Sequence, residues 1–461
     1  MDTTQDAVTV IGAGLAGCEC ALALAKRGVP VKLYEMRPHA TSAAHKTDHL
    51  AELVCSNSLK ALRADSAAGL LKAEIARLGS TLIGLAKQAA VPAGGALAVD
   101  RDVFSSLVEQ AIAAQPLIEL VREEVEEIPT TGPVVVAAGP LCSGALAQTV
   151  EGLVGGKRLS FFDAAAPIVD ASTLDRGKVF AMSRYDRGDG DDYLNCPMGK
   201  DEYDAFIDEL VGAERAILRD FERRDLFQAC QPVEEVARTG HDALRFGALK
   251  PVGITDPSTG RRPWAVVQLR AENRQGSAYN LVGFQTNLTW PEQRRVFRMI
   301  PGLEEAEFFR YGVMHRNTFI DAPACLDGTF ALKGDRRIRF AGQITGTEGY
   351  TEAIATGLLA AFNTLADLRG CTVEPLPATG ALGSLVAYAT DPQTTGYQPM
   401  HVNFGIVPPL DHKGKLSKRD KYKLYARRAA DDLDAWCERN ADKVGVDPSA
   451  RTELVWGDDG R

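Results

Sequence analysis

Two cysteines lie in surroundings where a nucleophilic thiolate could form. Cys55 lies in "ELVCSNSLKALRAD", where small polar residues follow the thiol and lead into a segment with helical character. Cys230 lies in "FQACQPVEEVARTG", where Pro232 suits the first turn of a helix that begins just after the cysteine. Because a helix N-terminus lowers the pKa of a nearby thiol, both segments predict a stabilised thiolate. Residue types alone still favour structural thiols, since most free cysteines are small buried hydrophobes.

A glycine-rich turn near the N-terminus predicts a dinucleotide site. An apolar strand over 7–11, an alanine-rich helix over 16–25 and a second strand over 31–34 surround it, and the second strand ends at Glu35. The three glycines allow a tight turn, close approach to a pyrophosphate and close helix packing, while the acidic residue can accept ribose hydroxyls. The residues predicted to contact the dinucleotide are Gly12, Ala13, Gly14, Leu15, Ala16, Gly17 and Glu35.

Two later strands also end in glycine and favour FAD over NAD. They lie in "PVVVAAGP", which ends at Gly139, and in "IRFAGQITGTEGYTEAIATG", which continues into a helix from about Glu352 to Leu365. By analogy with flavoproteins of the glutathione-reductase type, such elements complete an FAD site, and Gly342 and Gln343 would contact the cofactor. The alternative is that both are ordinary core strands of a parallel sheet.

Three further side chains are candidates for the same site. Glu348 and Tyr350 could line the flavin pocket, although Glu348 could instead cap the helix that follows it. Arg101 could lie near the cofactor, but its segment "VDRD" could equally be a helix start with Asp100 as the N-cap.

The middle of the chain predicts a second, inserted domain. Turns such as "DPSTGRRP" and alternating runs such as "WAVVQLR" and "YNLVGF" are typical of antiparallel strands. The predicted fold is therefore α/β: a Rossmann-like FAD-binding domain of glutathione-reductase type with an inserted mixed α+β domain. We predict the first part of the FAD-binding domain over 1–165, the inserted substrate domain over 166–325, and the closing segment with a basic helical tail over 326–461.

Composition narrows the class of protein. The chain has 461 residues, a net charge of -9 and 45% hydrophobic residues, so it can bury a large core, and any nucleic-acid binding must use a local basic surface. No run of about 18 apolar residues and no basic leader is present, which predicts a cytoplasmic protein without a membrane segment. Nine cysteines without paired CxxC clusters argue against a disulfide scaffold or a metal site.

A basic run in "HKGKLSKRDKYKLYARR" could contact a phosphate backbone. A solvated helix face is the default for such runs, but their density in an acidic protein favours nucleic acid. Arg261, Arg262, Arg294 and Arg295 could extend the surface. The residues predicted to contact RNA are Lys413, Lys415, Lys418, Arg419 and Lys421.

Over nearly its whole length the chain resembles the bacterial folate- and FAD-dependent tRNA (uracil-5-)-methyltransferases. The matching stretches include "ELVCSNSL", "CQPVEEVA", "LVGFQTNLTWPEQRRVFRMIPGL", "RYGVMHRNTFI" and "FAGQITGTEGYTEA". The resemblance implies that the methylene of 5,10-methylenetetrahydrofolate passes to carbon 5 of the T-loop uridine and is reduced by FAD to give ribothymidine, with NADPH or NADH as reductant. The T arm of tRNA, folate and a nicotinamide cofactor would be partners, without an obligate protein partner.

The resemblance also assigns roles to residues. Cys230 would attack carbon 6 of uracil, which makes carbon 5 nucleophilic, and Cys55 would assist near the flavin, although the order could be reversed. His315 and Asn317 would contact substrate or folate, but His315 could equally be a hydrogen-bonded histidine between domains. Gln231 and His401 depart from the family pattern, which puts details of uridine contact and loop packing in doubt.

Three other functions compete with this one. The first is the related flavoprotein that modifies the wobble uridine of tRNA, and the second is an FAD-dependent disulfide reductase. Disulfide chemistry favours two closely spaced cysteines, whereas Cys55 and Cys230 are far apart in sequence. The third is a non-catalytic tRNA-binding or tRNA-folding protein that keeps FAD as a structural element.

Overall fold

The computed structural model describes residues 7–42, 44–155, 159–186, 190–216, 231–394, 396–412 and 414–456. The strands are β1 (Val8–Ile11), β2 (Val31–Tyr34), β3 (Ser58–Ala61), β4 (Ala90–Val91), β5 (Ala96–Val99), β6 (Ile118–Val121), β7 (Val134–Val136), β8 (Leu159–Ala164), β9 (Ile168–Asp170), β10 (Phe180–Ala181), β11 (Tyr193–Met198), β12 (Ala265–Ala271), β13 (Ala278–Leu281), β14 (Phe308–Arg310), β15 (Met314–Phe319), β16 (Ala331–Leu332) and β17 (Asp335–Phe340).

The α-helices follow the same chain order. They are α1 (Leu15–Ala25), α2 (Ala67–Arg77), α3 (Thr81–Gln88), α4 (Arg101–Ala113), α5 (Gly144–Val154), α6 (Lys200–Gly212), α7 (Val233–Arg238), α8 (Ala243–Phe246), α9 (Trp290–Phe297), α10 (Ala322–Cys325), α11 (Tyr350–Leu368), α12 (Ala381–Thr390) and α13 (Lys418–Val444).

The first sheet has the order β16-β17-β7-β1-β2-β6. Strands β17, β7, β1, β2 and β6 pair in parallel, and β16 pairs antiparallel to β17 at the edge. The strands are short and apolar because helices cover both faces of such a sheet, as the buried run Val134–Val136 illustrates. Strand β1 lies in the middle of the sheet, with β7 on one side and β2 on the other. The strand order reverses at β1, and such a switch point leaves a crevice at the carboxyl end of the strand.

The second sheet is antiparallel, with the order β10-β11-β12-β13-β9-β14. Its residues and the helices beside it form a separate hydrophobic core drawn from Ala166 to Ala306. The larger core uses residues from Val8 to Val150 and again from Phe319 onward. The predicted nucleotide-binding α/β fold with an inserted mixed α+β region is therefore confirmed, whereas the boundaries at 165 and 325 stay predictions.

Two small sheets lie outside the two main ones. Strands β3, β5 and β4 form a three-stranded antiparallel sheet, and β15 pairs antiparallel with β8. The tail is a 27-residue helix, α13, that packs on α11 and α2 of the first core. Among the described residues, no helix is both long and apolar enough to cross a membrane.

Candidate functional site

A deep groove opens at the carboxyl ends of β1, β2 and β7 and reaches the N-terminal end of α11. It encloses roughly 1070 Å³, including its open mouth, which lies at the upper end of the range of ligand pockets. A volume of this size suits a dinucleotide. Of the predicted cofactor residues, those that line the groove are Gly12, Gly14, Leu15, Ala16, Glu35, Gly342, Gln343 and Tyr350.

The glycines of the β1–α1 turn have distinct steric roles. Gly12 has φ +99°, and a Cβ there would lie 2.6 Å from the Cα of Ala138 on the neighbouring strand connection. A Cβ at Gly17 would lie 1.8 Å from the carbonyl oxygen of Gly12, so only glycine lets α1 begin this close to β1. Gly14 has no atom within 4 Å of a Cβ position, and it faces the groove. The turn is thus tight behind Gly12 and Gly17 and open at Gly14.

Helix α11 closes the groove from the other side. A Cβ on Gly357 would lie 2.2 Å from the carbonyl oxygen of Ala16, which shows how closely α11 crosses α1. The predicted helix over Glu352–Leu365 is confirmed, with observed bounds of Tyr350–Leu368. The N-terminal ends of α1 and α11 therefore both approach the groove, and both offer backbone N–H groups to an anionic or carbonyl-bearing ligand.

Glu35 is part of a buried ionic cluster at the end of β2. Its carboxylate accepts hydrogen bonds from Ala13 N at 3.1 Å and from Arg37 Nε at 2.8 Å. Arg37 also donates to Glu52 at 2.9 Å. Although burial favours the neutral acid, the hydrogen bonds and the charge of Arg37 lower the pKa of Glu35 overall. A carboxylate is thus held ionised beside the groove, ready to accept from hydroxyl groups.

Cys55 lies at the inner end of the groove, against the hydroxyl group of Tyr350. Tyr350 Oη accepts from the backbone N–H groups of Cys55 at 2.9 Å and Ser56 at 3.2 Å, and it lies 3.0 Å from Cys55 Sγ. Sequence alone placed the two residues 295 positions apart, so this contact was not foreseen. In the structure the two side chains meet at the N-terminal end of α11.

The expected helix after Cys55 was wrong. Residues Ser58–Ala61 form strand β3, and the next helix, α2, begins at Ala67. Burial, followed by the charge of Asp163, raises the pKa of the Cys55 thiol to about 12, although the hydrogen bond with Tyr350 opposes this shift. Cys55 is therefore a neutral thiol at neutral pH in the ligand-free protein, not a helix-stabilised thiolate.

Two buried side-chain oxygen atoms near this end of the groove lack a hydrogen-bond donor. Among the described residues, Asn317 Oδ1 and Glu348 Oε2 have no hydrogen-bond partner, although both residues are buried. Burial and the nearby charge of Asp163 raise the pKa of Glu348. Unpaired buried acceptors are costly unless a ligand supplies donors. Flavin and pterin rings both carry N–H groups, so these residues and the open turn at Gly14 fit bound FAD.

Glu348 does not cap α11. Its side chain accepts a hydrogen bond from Gln343, and the N-cap residue of α11 is Gly349, which has no side-chain cap. The first-turn acid Glu352 instead accepts from the backbone N–H of Val402 at 3.2 Å. The Glu348–Gln343 pair thus belongs to the loop between β17 and α11, beside the groove.

Arg101 contacts the loop that carries Cys55, which we call the cysteine loop. Asp100 caps α4 by accepting from Val103 N, which confirms the helix-start interpretation of this segment. Arg101 donates to the carbonyl oxygen of Leu53 at 2.8 Å and lies 2.8 Å from Glu272 of the inserted region. It is not among the groove-lining residues, so its contact with a cofactor stays a prediction.

Hydrogen bonds of Asn57 and Arg270 connect the cysteine loop to strand β12. Asn57 donates to the carbonyl oxygens of Val99 and Ala271, both at 3.0 Å. Arg270 Nε donates to Asn57 Oδ1 at 2.8 Å, and its Nη2 donates to Ser56 at 3.0 Å. The contacts of Asn57 and Arg270 were not predicted from the sequence. The only local signal was the position of an asparagine directly after Cys55 and Ser56. The loop is consequently held by both cores.

Cys230 lies outside the described residues. The described chain on either side is anchored to one loop, because Ala216 N donates to Asn287 O at 2.7 Å and Val233 N donates to Gln285 O at 2.6 Å. Helix α7 begins directly after Pro232, as the sequence predicted. The same loop continues to Trp290 and α9.

Of the two predicted folate residues, Asn317 lines the groove. His315 lies two residues before it on β15, where its backbone pairs with Asp163 of β8, and its side chain is outside the described part of the chain. Strand β15 leads directly from the inserted region to the groove.

The predicted RNA-binding residues cluster around the start of α13. Lys415, Lys418, Arg419 and Lys421 are exposed, and Lys413 lies outside the described residues. Ser417 caps the helix by accepting from Asp420 N. Lys418 and Lys421 lie over the rings of Tyr422 and Tyr425, one turn further along α13, and Arg419 lies 3.7 Å from Asp65. Arg294 and Arg295 lie on α9 instead, far along the chain in the inserted region.

Comparisons with known proteins agree on one group of relatives. Residues 7–372 match the family described as Glucose inhibited division protein A. The chain is 57% identical over 430 residues to "Methylenetetrahydrofolate--tRNA-(uracil-5-)-methyltransferase TrmFO" of Geobacter sulfurreducens, with 93% of this chain and 98% of the relative covered. The protein with the same name from Heliobacterium modesticaldum is 53% identical over 433 residues, with 94% and 98% covered.

A solved structure supports the fold. Aquifex aeolicus GidA superimposes with a TM-score of 0.69 over 97% of this chain and 77% of that chain, at 17% identity. At this level of identity the likeness concerns the fold alone.

Proposed function

This chain belongs to the folate- and FAD-dependent tRNA (uracil-5-)-methyltransferase family, and from that premise we propose how its residues carry out the reaction. The protein transfers a one-carbon unit from methylenetetrahydrofolate to carbon 5 of a uridine in tRNA. We infer that the uridine is that of the T loop, that the product is ribothymidine, and that the protein acts in the cytoplasm. The observation that carries the proposal is the Cys55–Tyr350 contact at the inner end of a dinucleotide groove.

Gly12, Gly14, Glu35 and the N-terminal end of α1 would hold the dinucleotide part of FAD. The turn at Gly14 is open, and the ionised Glu35 faces the same groove. Bound FAD, reduced by NADPH or NADH, supplies the hydride that converts the transferred methylene to methyl.

Cys230 is the nucleophile that adds to carbon 6 of the uracil ring. Addition of its thiolate moves the electron pair of the C5–C6 double bond toward the carbonyl, so carbon 5 becomes nucleophilic. The described residues on both sides of the segment that carries Cys230 are hydrogen-bonded to the loop at 285–287, which continues into α9.

Cys55 acts on the proton at carbon 5 or protects the intermediate. Because burial raises its pKa to about 12, the thiol is protonated in the ligand-free protein, so removal of the proton at carbon 5 would require that Cys55 first lose its own proton when the ligands bind. Tyr350 Oη holds the loop through two backbone N–H groups and fixes the direction of Sγ. Asn317 Oδ1 would supply an acceptor for an N–H group of folate, and His315 lies on the same strand as Asn317.

The basic surface of Lys415, Lys418, Arg419 and Lys421 would bind the phosphate backbone of the T arm. Because Cys55 lies within the groove, the uridine has to leave the folded loop to reach it. Binding on the surface and chemistry in the groove are therefore separate steps.

The test is to incubate the FAD-loaded protein with unmodified tRNA, methylenetetrahydrofolate carrying a labelled methylene carbon, and NADPH. We expect labelled 5-methyluridine in the T loop. Cys230→Ala should abolish the label, Cys55→Ala should lower it strongly, and the control Cys371→Ala, a partly exposed cysteine after α11, should retain it. Absence of label with FAD bound and reducible would contradict the proposed function.

A further inference from the structure

An exposed aromatic stack lies on the inserted region, away from the cofactor groove. Trp290, the first residue of α9, has 60% of its surface exposed. Its ring stacks on Tyr311 with centroids 5.6 Å apart and an interplanar angle of 16°, and Tyr311 stacks on Phe308 at 5.1 Å and 18°. Tryptophan is a highly buried residue on average, so an indole ring exposed to this extent is unusual. The stack therefore presents a flat, preformed surface that ends in an exposed ring.

Trp290 separates two hollows on the protein surface. One is lined by the backbone and side chains of 286–291 and 312–314, together with Ala216, and encloses roughly 720 Å³ including open solvent. The other is lined by Trp290, Pro291, Tyr311 and three arginines, Arg294, Arg295 and Arg298. Trp290 thus borders both an apolar hollow and a hollow lined by arginines.

The cations are unevenly neutralised. Arg294 and Arg298 share one carboxylate, that of Glu307, at 3.2 and 2.9 Å. Arg295 instead contacts both Glu292 and Glu209. Arg294 and Arg298 therefore share a single carboxylate, whereas Arg295 contacts two, and these exposed pairs are weak enough for a phosphate to compete with Glu307.

The apolar hollow and the cofactor groove are both lined by residues of strand β15. Met314 lines the hollow and begins β15, and Asn317 of the same strand lines the groove. Successive side chains of a strand point to opposite faces, so these two residues, three positions apart, place the hollow and the groove on opposite sides of β15.

We propose that Trp290 is a stacking platform for a base of the tRNA substrate and that Arg294 and Arg298 bind the adjacent phosphate. This inference rests on the proposed function and adds a second RNA contact, on the inserted region, to the basic surface at α13. An aromatic face with neighbouring arginines is the arrangement that binds unpaired nucleotides without sequence preference.

The test compares Trp290→Ala, Trp290→Phe and Arg294→Gln with the control Phe246→Ala, which removes another exposed aromatic ring of the same region. We measure the Kd for unmodified tRNA against salt concentration, KM and kcat for tRNA methylation, and thermal stability. Trp290→Ala should weaken tRNA binding about 5- to 100-fold and raise KM more than it changes kcat. Trp290→Phe should restore most of the affinity, and Arg294→Gln should lower the salt slope by about 1.

Two results would overturn the proposal. One is a Trp290→Ala variant that binds and methylates tRNA like the wild-type protein, in which case the methyltransferase function stands and the platform does not. The other is a wild-type dimer that Trp290→Ala converts to a monomer at unchanged tRNA affinity, because the ring would then cover a protein interface. A wild-type protein that binds tRNA through Trp290 but forms no 5-methyluridine would contradict the proposed function alone.

Discussion

At the scale of single residues, the state of the Cys55 thiol depends on its neighbours. The sulfur lies 3.0 Å from the Tyr350 hydroxyl group, and burial and the charge of Asp163 raise its pKa to about 12. Like charges oppose ionisation, so the buried Asp163 disfavours the thiolate. The protein therefore keeps Cys55 protonated in the absence of ligands, which protects it from oxidation as well as from premature chemistry.

We expect the alkylation of Cys55 by iodoacetamide to be slow at pH 7 and to rise with pH without a plateau below about pH 10. Asp163→Asn should lower the thiol pKa and speed the reaction at pH 8–9 about 10-fold for each unit of pKa. Mass spectrometry of the peptide that carries Cys55 follows the rate, and Cys371 in the same sample is the internal control. A plateau near pH 8 in the wild-type protein would show that the thiol is not suppressed.

At the scale of elements, the bounds of β1, α1 and β2 were predicted to within one residue. Glycine spacing and apolar runs determine these bounds locally, so the sequence alone is enough to predict them. Strand β2 matches its predicted bounds of 31–34, and α1 begins at Leu15 where Ala16 was expected. The segment after Cys55 was misassigned because its serines favour local turns. Ser56 Oγ accepts from Ser58 N, and Ser58 Oγ accepts from Lys60 N, which competes with helix formation.

The β1–α1 turn allows steric and binding roles to be separated. Gly17→Ala should destabilise the apoprotein by about 1–3 kcal/mol, because its Cβ meets the backbone of Gly12. Gly14→Ala should leave the Tm of the apoprotein unchanged and weaken FAD binding at least about 10-fold, since the methyl group enters open groove. Thermal unfolding and FAD titration measure the two effects. Gly84→Ala, in open space on α3, is the control, and equal loss of apoprotein stability in both turn variants would contradict this separation.

The start of α12 depends on a buried acid. Glu74 of α2 accepts from the backbone N–H groups of Ala381 at 2.7 Å and Leu382 at 2.8 Å, and burial raises its pKa from 4.5 to about 7. The folded state thus binds a proton more tightly than the unfolded state between these two pH values. The contribution of Glu74 to stability is present in full below pH 4.5 and is lost as the pH rises through about 7.

We therefore expect Glu74→Gln to remove part of the pH dependence of unfolding. The free energy of unfolding of the wild-type protein, relative to the variant, should fall by up to about 3 kcal/mol between pH 4.5 and 7. Urea denaturation at several pH values measures this difference. Glu305→Gln, an exposed acid, should show a constant difference across the same range, and a constant difference for Glu74→Gln would refute the assignment.

At the scale of the whole molecule, polar contacts join the two hydrophobic cores. The sequence predicted the two kinds of architecture from periodicity, but it could not predict which residues connect them. Asn57 and Arg270 are 213 positions apart, and their 2.8 Å hydrogen bond joins the cysteine loop to β12. Likewise, the contact of Cys55 with Tyr350 depends on the packing of α11 against α1. Contacts of this kind arise from tertiary structure and leave little trace in local patterns.

The basic surface at α13 should control the salt dependence of tRNA binding. The double variant Lys415→Ala/Lys421→Ala should reduce the slope of log K against log salt concentration by about 2, because each lysine neutralises one phosphate. Filter binding at several salt concentrations measures the slope. Lys87→Ala, an exposed lysine on α3, is the control, and an unchanged slope in the double variant would exclude this surface from the tRNA path.

The strand order of the first sheet also bears on how the chain folds during synthesis. Strand β17 (Asp335–Phe340) pairs with β7 (Val134–Val136), although about 200 residues separate them along the chain. At typical translation rates, roughly 10–40 s would pass between the synthesis of β7 and that of β17. The apolar edge of β7 would stay unpaired during this time. Helix α11, which closes the groove, emerges later still. A nascent chain that has already folded its inserted core would thus still carry an unfinished cofactor domain, and chaperones would meet that exposed edge first.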